Sequence, residues 1–296
     1  MTVSSRCTLR DVKLPQPLVD ARWLNAHARE VRVVDSRWYL DRRSGRDAYE
    51  SGHLPGAVWV DVDRDLAAPA TPVAGRHPLP TPEHFAAVLS RLGVDHHTPV
   101  VVYDDAGGSI AARLWWMLRM LEHPAAVLDG GLGAWTGPIE HGWRLVDARP
   151  CAPRPWPSTR LADANDVDTL RADPRALVLD ARSSARFENG DTKVDPRPGH
   201  VPGARSAPFA ANLTRDGTML DEAALRARYG ALGATDADVI AVYCGSGVTA
   251  CHDLLALEIA GFGESTRLYP GSWSQWGADT TRPAATGSGG SIDQGT

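Results

Sequence analysis

The chain has 296 residues, 43% of them hydrophobic and 23% charged, with a net charge of −5. This is the composition of a soluble globular protein long enough for two domains, with no basic excess for nucleic acid or an anionic membrane. No apolar run approaches the roughly 18–20 residues of a membrane span, no secretory signal is read in the charged first fifteen residues, and four cysteines are too few for a disulfide scaffold.

In chain order, the valine-rich run Val31–Asp35 reads as a buried strand. Thr81-Pro82-Glu83 opens a helix that runs through Leu92 and stops at Gly93, with a capping hydroxyl, proline in the first turn and glycine after the last. Val100–Tyr103 and Ala126–Leu128 read as further strands, and Ile110–Leu121 as a buried helix. Residues 149–157 hold four prolines and cannot continue a helix or a central strand. An extended linker is therefore expected over 149–160. Beyond it, Ala176–Asp180, Val239–Tyr243 and Arg267–Tyr269 read as strands and Val248–Ala260 as a buried helix. The Gly-, Ser-, Ala- and Thr-rich tail, 284–296, is expected to be disordered.

The two halves repeat one pattern. Asp35 and Asp180 end matching strands, and His53-Leu54-Pro55-Gly56-Ala57 matches His200-Val201-Pro202-Gly203-Ala204, both at offsets of about 145 residues. A unit this long is a duplicated domain, expected over 18–148 and 161–283. Strand–helix alternation predicts an α/β fold with a parallel sheet flanked by helices in each copy. His53 and His200 occupy equivalent positions, which points to a structural role.

Cys244-Gly245-Ser246-Gly247-Val248-Thr249 follows an apolar strand and opens an apolar helix. Two glycines let successive amides turn inward, and the helix N-terminus adds partial positive charge. A thiol placed there is expected to be partly thiolate and nucleophilic. An isolated cysteine is more often a structural core residue, but strand, glycine loop and helix together favour the nucleophile. A cysteine phosphatase would need an arginine six positions on, where Ala250 stands. Cys244, Cys251 and His252 fit no common zinc spacing, so no metal is expected. Helical spacing puts Cys251 about 10 Å away, beyond disulfide reach, and Cys7 and Cys151 have no motif around them.

These features resemble the tandem rhodanese-type sulfurtransferases, over about residues 18 to 280. The shared motifs are Asp180-Ala181-Arg182, Gly199 to Ala204, the cysteine loop and Tyr269-Pro270-Gly271-Ser272-Trp273-Ser274-Gln275-Trp276. The resemblance implies two rhodanese-like domains, a first half made silent by Asp104-Asp105 at the cysteine's position, and a persulfide on Cys244. It also implies no cofactor. The loop Gly245, Ser246, Gly247, Val248 and Thr249 would hold the transferred sulfur. Its lack of charge resembles the 3-mercaptopyruvate subtype; thiosulfate enzymes often carry basic residues there.

The same resemblance offers Arg186 and Arg197 as partners of the donor carboxylate, with the polar segment 188–196 as a loop over the site. It further implies a relay of Ser246, His77 and Asp63 that takes the donor thiol's proton; Asp61 or Asp65 could stand in for Asp63. Such a site would lie between the domains. The expected reaction partners are a small-molecule sulfur donor and an acceptor thiol such as thioredoxin, or cyanide. The protein is expected to be a cytoplasmic monomer. Two alternatives stay open: thiosulfate as the donor, with Lys193 as a third cation, and a persulfide carrier that delivers sulfur to a partner.

Overall fold

The computed structural model describes residues 13–15 and 17–288. The first half runs β1 (Leu18–Val19), α1 (Ala21–His27), β2 (Arg32–Asp35), α2 (Gly45–Ser51), β3 (Val58–Trp59), α3 (Pro82–Arg91), β4 (Val100–Tyr103), α4 (Ala111–Met120) and β5 (Ala125–Leu128). The second runs α5 (Ala164–Leu170), β6 (Ala176–Asp180), α6 (Ser184–Asn189), β7 (Arg205–Ser206), α7 (Glu222–Ala231), β8 (Val239–Tyr243), α8 (Ala250–Ile259), β9 (Thr266–Leu268) and α9 (Ser272–Trp276).

All strand pairs are parallel, in the orders β1-β5-β4-β2-β3 and β7-β6-β8-β9. A parallel bridge from Leu161 to Leu268 supplies in the second sheet what β1 supplies in the first. The duplication extends to buried ion pairs. Asp35 binds Arg37 and Asp180 binds Arg182, each at 2.6 Å. His53 stacks on Tyr49 and His200 on Phe187, each bonded through Nδ1 to a backbone carbonyl at 2.9 Å. Their role is structural.

The halves are fused through α4 and α8, which pack against each other. Every residue from Ala111 to Leu118 and from Ala250 to Leu257 is buried, which is why neither helix has a polar face. One apolar cluster runs through both domains and includes Trp115, Trp116, Leu254 and Leu255. Truncating such a tryptophan costs about 3–5 kcal/mol. The linker lies along this core, with Trp156 donating to the Pro80 carbonyl at 2.8 Å.

The structure differs from the sequence expectation at two ends. Helix α8 starts at Ala250 and not at Val248, because Gly247 (φ 78°) takes a left-handed turn that keeps the preceding loop open. The tail is ordered beyond Ala284: Ala285 pairs with His200, and Gly287 donates to the Glu188 carbonyl. Residues 289–296 of the expected disordered tail, and Cys7, lie outside the described residues.

Candidate active site

Cys244 stands at the carboxyl end of β8, between β6 and β9 in the sheet, where parallel sheets place their ligands. The residue is 1% exposed, and its sulfur accepts the amides of Gly247 at 3.1 Å and Ser246 at 3.4 Å. The amides of Gly245, Val248 and Thr249 have no hydrogen-bond acceptor among the described residues. The loop is held from behind by the 269–274 segment. Ser272 Oγ accepts the Cys244 amide, while Trp273 and Ser274 donate to the carbonyls of Cys244 and Gly245. Ser272 itself adopts φ 51°, a strained backbone for a residue other than glycine.

The first half shows what such a loop binds. At the matching position the Asp104 carboxylate accepts four amides, of Ala106, Gly108, Ile110 and Ala111, each at 2.8 Å. Burial pushes the Asp104 carboxyl up, and these four bonds oppose it. An internal anion fills the first cradle; the second holds sulfur.

From the first domain, His77 reaches Ser246. Its Nδ1 lies 2.8 Å from Ser246 Oγ and its Nε2 lies 2.7 Å from Asp63 Oδ1. An ionised carboxylate only accepts, so neutral His77 carries its proton on Nε2 and leaves Nδ1 to accept from the serine hydroxyl. Trp38 Nε1 fixes the other Asp63 oxygen at 2.9 Å. Burial holds the His77 pKa below the usual histidine value, against the Asp63 hydrogen bond. That bond in turn holds Asp63 below the usual carboxylate value. Asp61 caps the turn through the Asp63 and Arg64 amides, and Asp65 pairs with Arg91. Of the three carboxylates, Asp63 holds the histidine.

Arg186 also lies against the loop: a Cβ at position 245 would sit 2.8 Å from its Nη2, so a larger residue there would displace the guanidinium. Its guanidinium is clamped by both oxygens of Asp195, from the segment expected to cover the site. Arg197 is placed differently. Its Nη2 donates to the carbonyls of Trp276, Asp279 and Arg282, at 3.4, 3.3 and 2.8 Å, and so ties down the end of α9. The second guanidinium at the loop is Arg76, 3.1 Å from the same notional Cβ.

Arg76 and Asp195 are functional candidates that sequence reasoning missed. Arg76 adjoins His77 in the sequence, and this adjacency was the available signal. Its Nη1 donates to the Val194 carbonyl at 3.1 Å, which links the first domain to the segment over the site. Burial, and then the nearby Arg186, lower the Arg76 pKa from the usual arginine value. A bound anion would offset both by its opposite charge. Outside lies a cleft of about 1310 Å³ between the domains, lined by Trp38, Asp63, Arg76, His77, Lys193 and Val194 among others. Trp273 is fully buried behind the loop, so it forms no exposed wall of this cleft.

A model of the rhodanese-like domain family matches residues 20–138 and 163–279. A Pseudomonas aeruginosa protein, provisionally named 3-mercaptopyruvate sulfurtransferase, is 42% identical over 283 residues, 91% of this chain and 98% of that one. A Mycobacterium tuberculosis protein, provisionally named thiosulfate sulfurtransferase SseB, is 39% identical and covers 87% of this chain and 91% of its own. The crystal structure of the Escherichia coli 3-mercaptopyruvate sulfotransferase SseA superposes with a TM-score of 0.75 at 32% identity, covering 86% of this chain and 98% of that one.

Proposed function

The chain belongs to the rhodanese-like domain family, in its two-domain form, and on that premise we propose that it moves sulfur from 3-mercaptopyruvate through a Cys244 persulfide to a thiol or cyanide. The observation that carries this reading is the contact of Ser246 with His77, itself held by Asp63, beside the sulfur of Cys244. A mercaptopyruvate thiol has a proton to lose; the outer sulfur of thiosulfate has none near neutral pH.

In the proposed step the Cys244 thiolate attacks the donor sulfur. The S–S bond forms as the donor's C–S bond breaks, and the electron pair passes to carbon as an enolate conjugated with the ketone. The proton leaves the donor sulfur by way of the Ser246 hydroxyl to His77 and is returned to that carbon, releasing pyruvate. Arg186 and Arg76 bind the donor carboxylate; an arginine fork suits it. The persulfide anion lies among the loop amides, which act as an oxyanion hole does. An acceptor thiolate or cyanide then attacks the outer sulfur, and the electron pair of the S–S bond returns to Cys244.

Thioredoxin as the acceptor, a monomeric state and a cytoplasmic location belong to this proposal. No helix among the described residues is long and apolar enough to cross a membrane. A second reading, with thiosulfate as preferred donor, draws on the name of the Mycobacterium tuberculosis relative and on Arg76, Arg186 and Lys193 as cations for a dianion.

Mass spectrometry after incubation with 3-mercaptopyruvate tests the proposal. One added sulfur on the Cys244 peptide, discharged by cyanide at the rate of turnover, is expected. Sulfur on another cysteine would overturn it, and slow discharge would make the protein a carrier.

A further inference from the structure

Arg113 comes from α4 of the silent half and is completely buried. Its Nη1 donates to the Gly247 carbonyl at 3.0 Å, and its Nη2 to the carbonyls of His77 at 3.1 Å and Leu66 at 3.2 Å. One side chain therefore grips both the cysteine loop and the residue that bonds Ser246. Arg182, equally buried, is paired with Asp180; Arg113 forms no salt bridge among the described residues. A buried cation without a counter-ion is costly. Cys251 does not supply one. Its thiol donates to the same Gly247 carbonyl at 3.4 Å, and burial pushes it up to about 12, so it is neutral at physiological pH.

The Cys244 sulfur adjoins this contact: it accepts the amide of Gly247 at 3.1 Å, the residue whose carbonyl Arg113 holds. We propose that Arg113 is a positioning residue for sulfur transfer and the internal counter-charge of the Cys244 sulfur anion. It sets the spacing between cradle and base, and it makes the silent domain necessary to the chemistry of the other. Other groups also act on Cys244. Arg76, which lines the cleft, and Arg186 lie against its loop, Asp195 clamps Arg186, and the Ser246–His77–Asp63 relay and Cys251 complete the surroundings. The cleft cations are partly screened by salt, whereas Arg113 is not.

The inference rests on Cys244 being the sulfur carrier, but its test needs no donor. The rate of Cys244 alkylation by iodoacetamide is followed against pH, by peptide mass spectrometry, in variants checked by thermal melting. Loss of the positive charge disfavours the thiolate, so Arg113→Met should move the profile to higher pH by about one unit. Arg113→Lys keeps the charge and should leave the profile in place. One ammonium cannot span three carbonyls, however, so its turnover with either donor should fall about tenfold or more. If Arg113→Met does not fold, Arg113→Gln replaces it and must show the same shift. A folded neutral variant with the wild-type profile would overturn the inference, even if its melting temperature fell. A wrong donor assignment would appear in turnover alone and leave the alkylation result standing.

Discussion

The Nδ1 of His77 lies 2.8 Å from the hydroxyl of Ser246, 169 residues away along the chain and in the other domain. The two are far from each other in sequence; the packing of α4 on α8 brings them together. Losing this base should matter for a donor with a proton and not for one without. His77→Ala and Ser246→Ala should lower kcat/KM for mercaptopyruvate by about 10²–10⁴, and for thiosulfate by much less. Asp63→Asn should show the same bias more weakly. Equal losses with both donors would mean that these residues only shape the loop.

The relay also fixes the direction of a pH effect. Burial holds His77 below the ordinary 6.5, so it stays neutral, and able to accept a proton, at pH values where a free histidine is half charged. Activity with mercaptopyruvate should therefore persist below pH 6.5 before the protonated form takes over. Asp63 raises the His77 pKa against burial. In Asp63→Asn the His77 contribution to the acid limb should move further down. A move to higher pH would contradict the assignment.

The arginines separate by what they hold. Arg186→Ala and Arg76→Ala should each cost about ten- to a hundredfold in kcat/KM for mercaptopyruvate, the loss of a charge-assisted contact. Arg197→Ala should instead lower stability, by about 1–3 kcal/mol for carbonyls left unpaired, with KM close to wild type. Thermal melting and steady-state kinetics on the same preparations would distinguish the two patterns.

Cys244→Ser should abolish transfer, because a hydroxyl cannot carry a persulfide. Cys151, half-buried on the linker, can be changed to serine with little effect. Cys251→Ser should keep most activity, since a hydroxyl can also donate to the Gly247 carbonyl. Substantial transfer by Cys244→Ser would refute the persulfide route.

Much of this arrangement was legible in the sequence because the chain states it twice. The central strands β4, β6 and β8 are apolar almost throughout and β2 carries Val33 and Val34, and the repeat matches β2 to β6 and β4 to β8. Two-residue strands such as β3 and β7, and helices of seven residues or fewer such as α2 and α6, were not legible. They hold too few residues to show a period and owe their form to the neighbouring sheet. At the site, the cysteine loop is contiguous and could be read directly. The arginines could not, because a guanidinium's destination depends on long-range packing. Arg197 turns to the carbonyls after α9, while Arg76, marked only by its place beside His77, reaches the loop. Arg113 is a charged residue in an otherwise mainly apolar helix, and only the domain packing reveals its three carbonyl partners.

The most direct test of the donor assignment is the ratio of kcat/KM for 3-mercaptopyruvate to that for thiosulfate, with cyanide as the common acceptor, in wild type and in His77→Ala. The wild-type ratio should strongly favour mercaptopyruvate and should fall sharply when the histidine is removed, because only the mercaptopyruvate value drops by about 10²–10⁴. A wild-type enzyme that prefers thiosulfate, with a ratio indifferent to His77, would contradict the assignment.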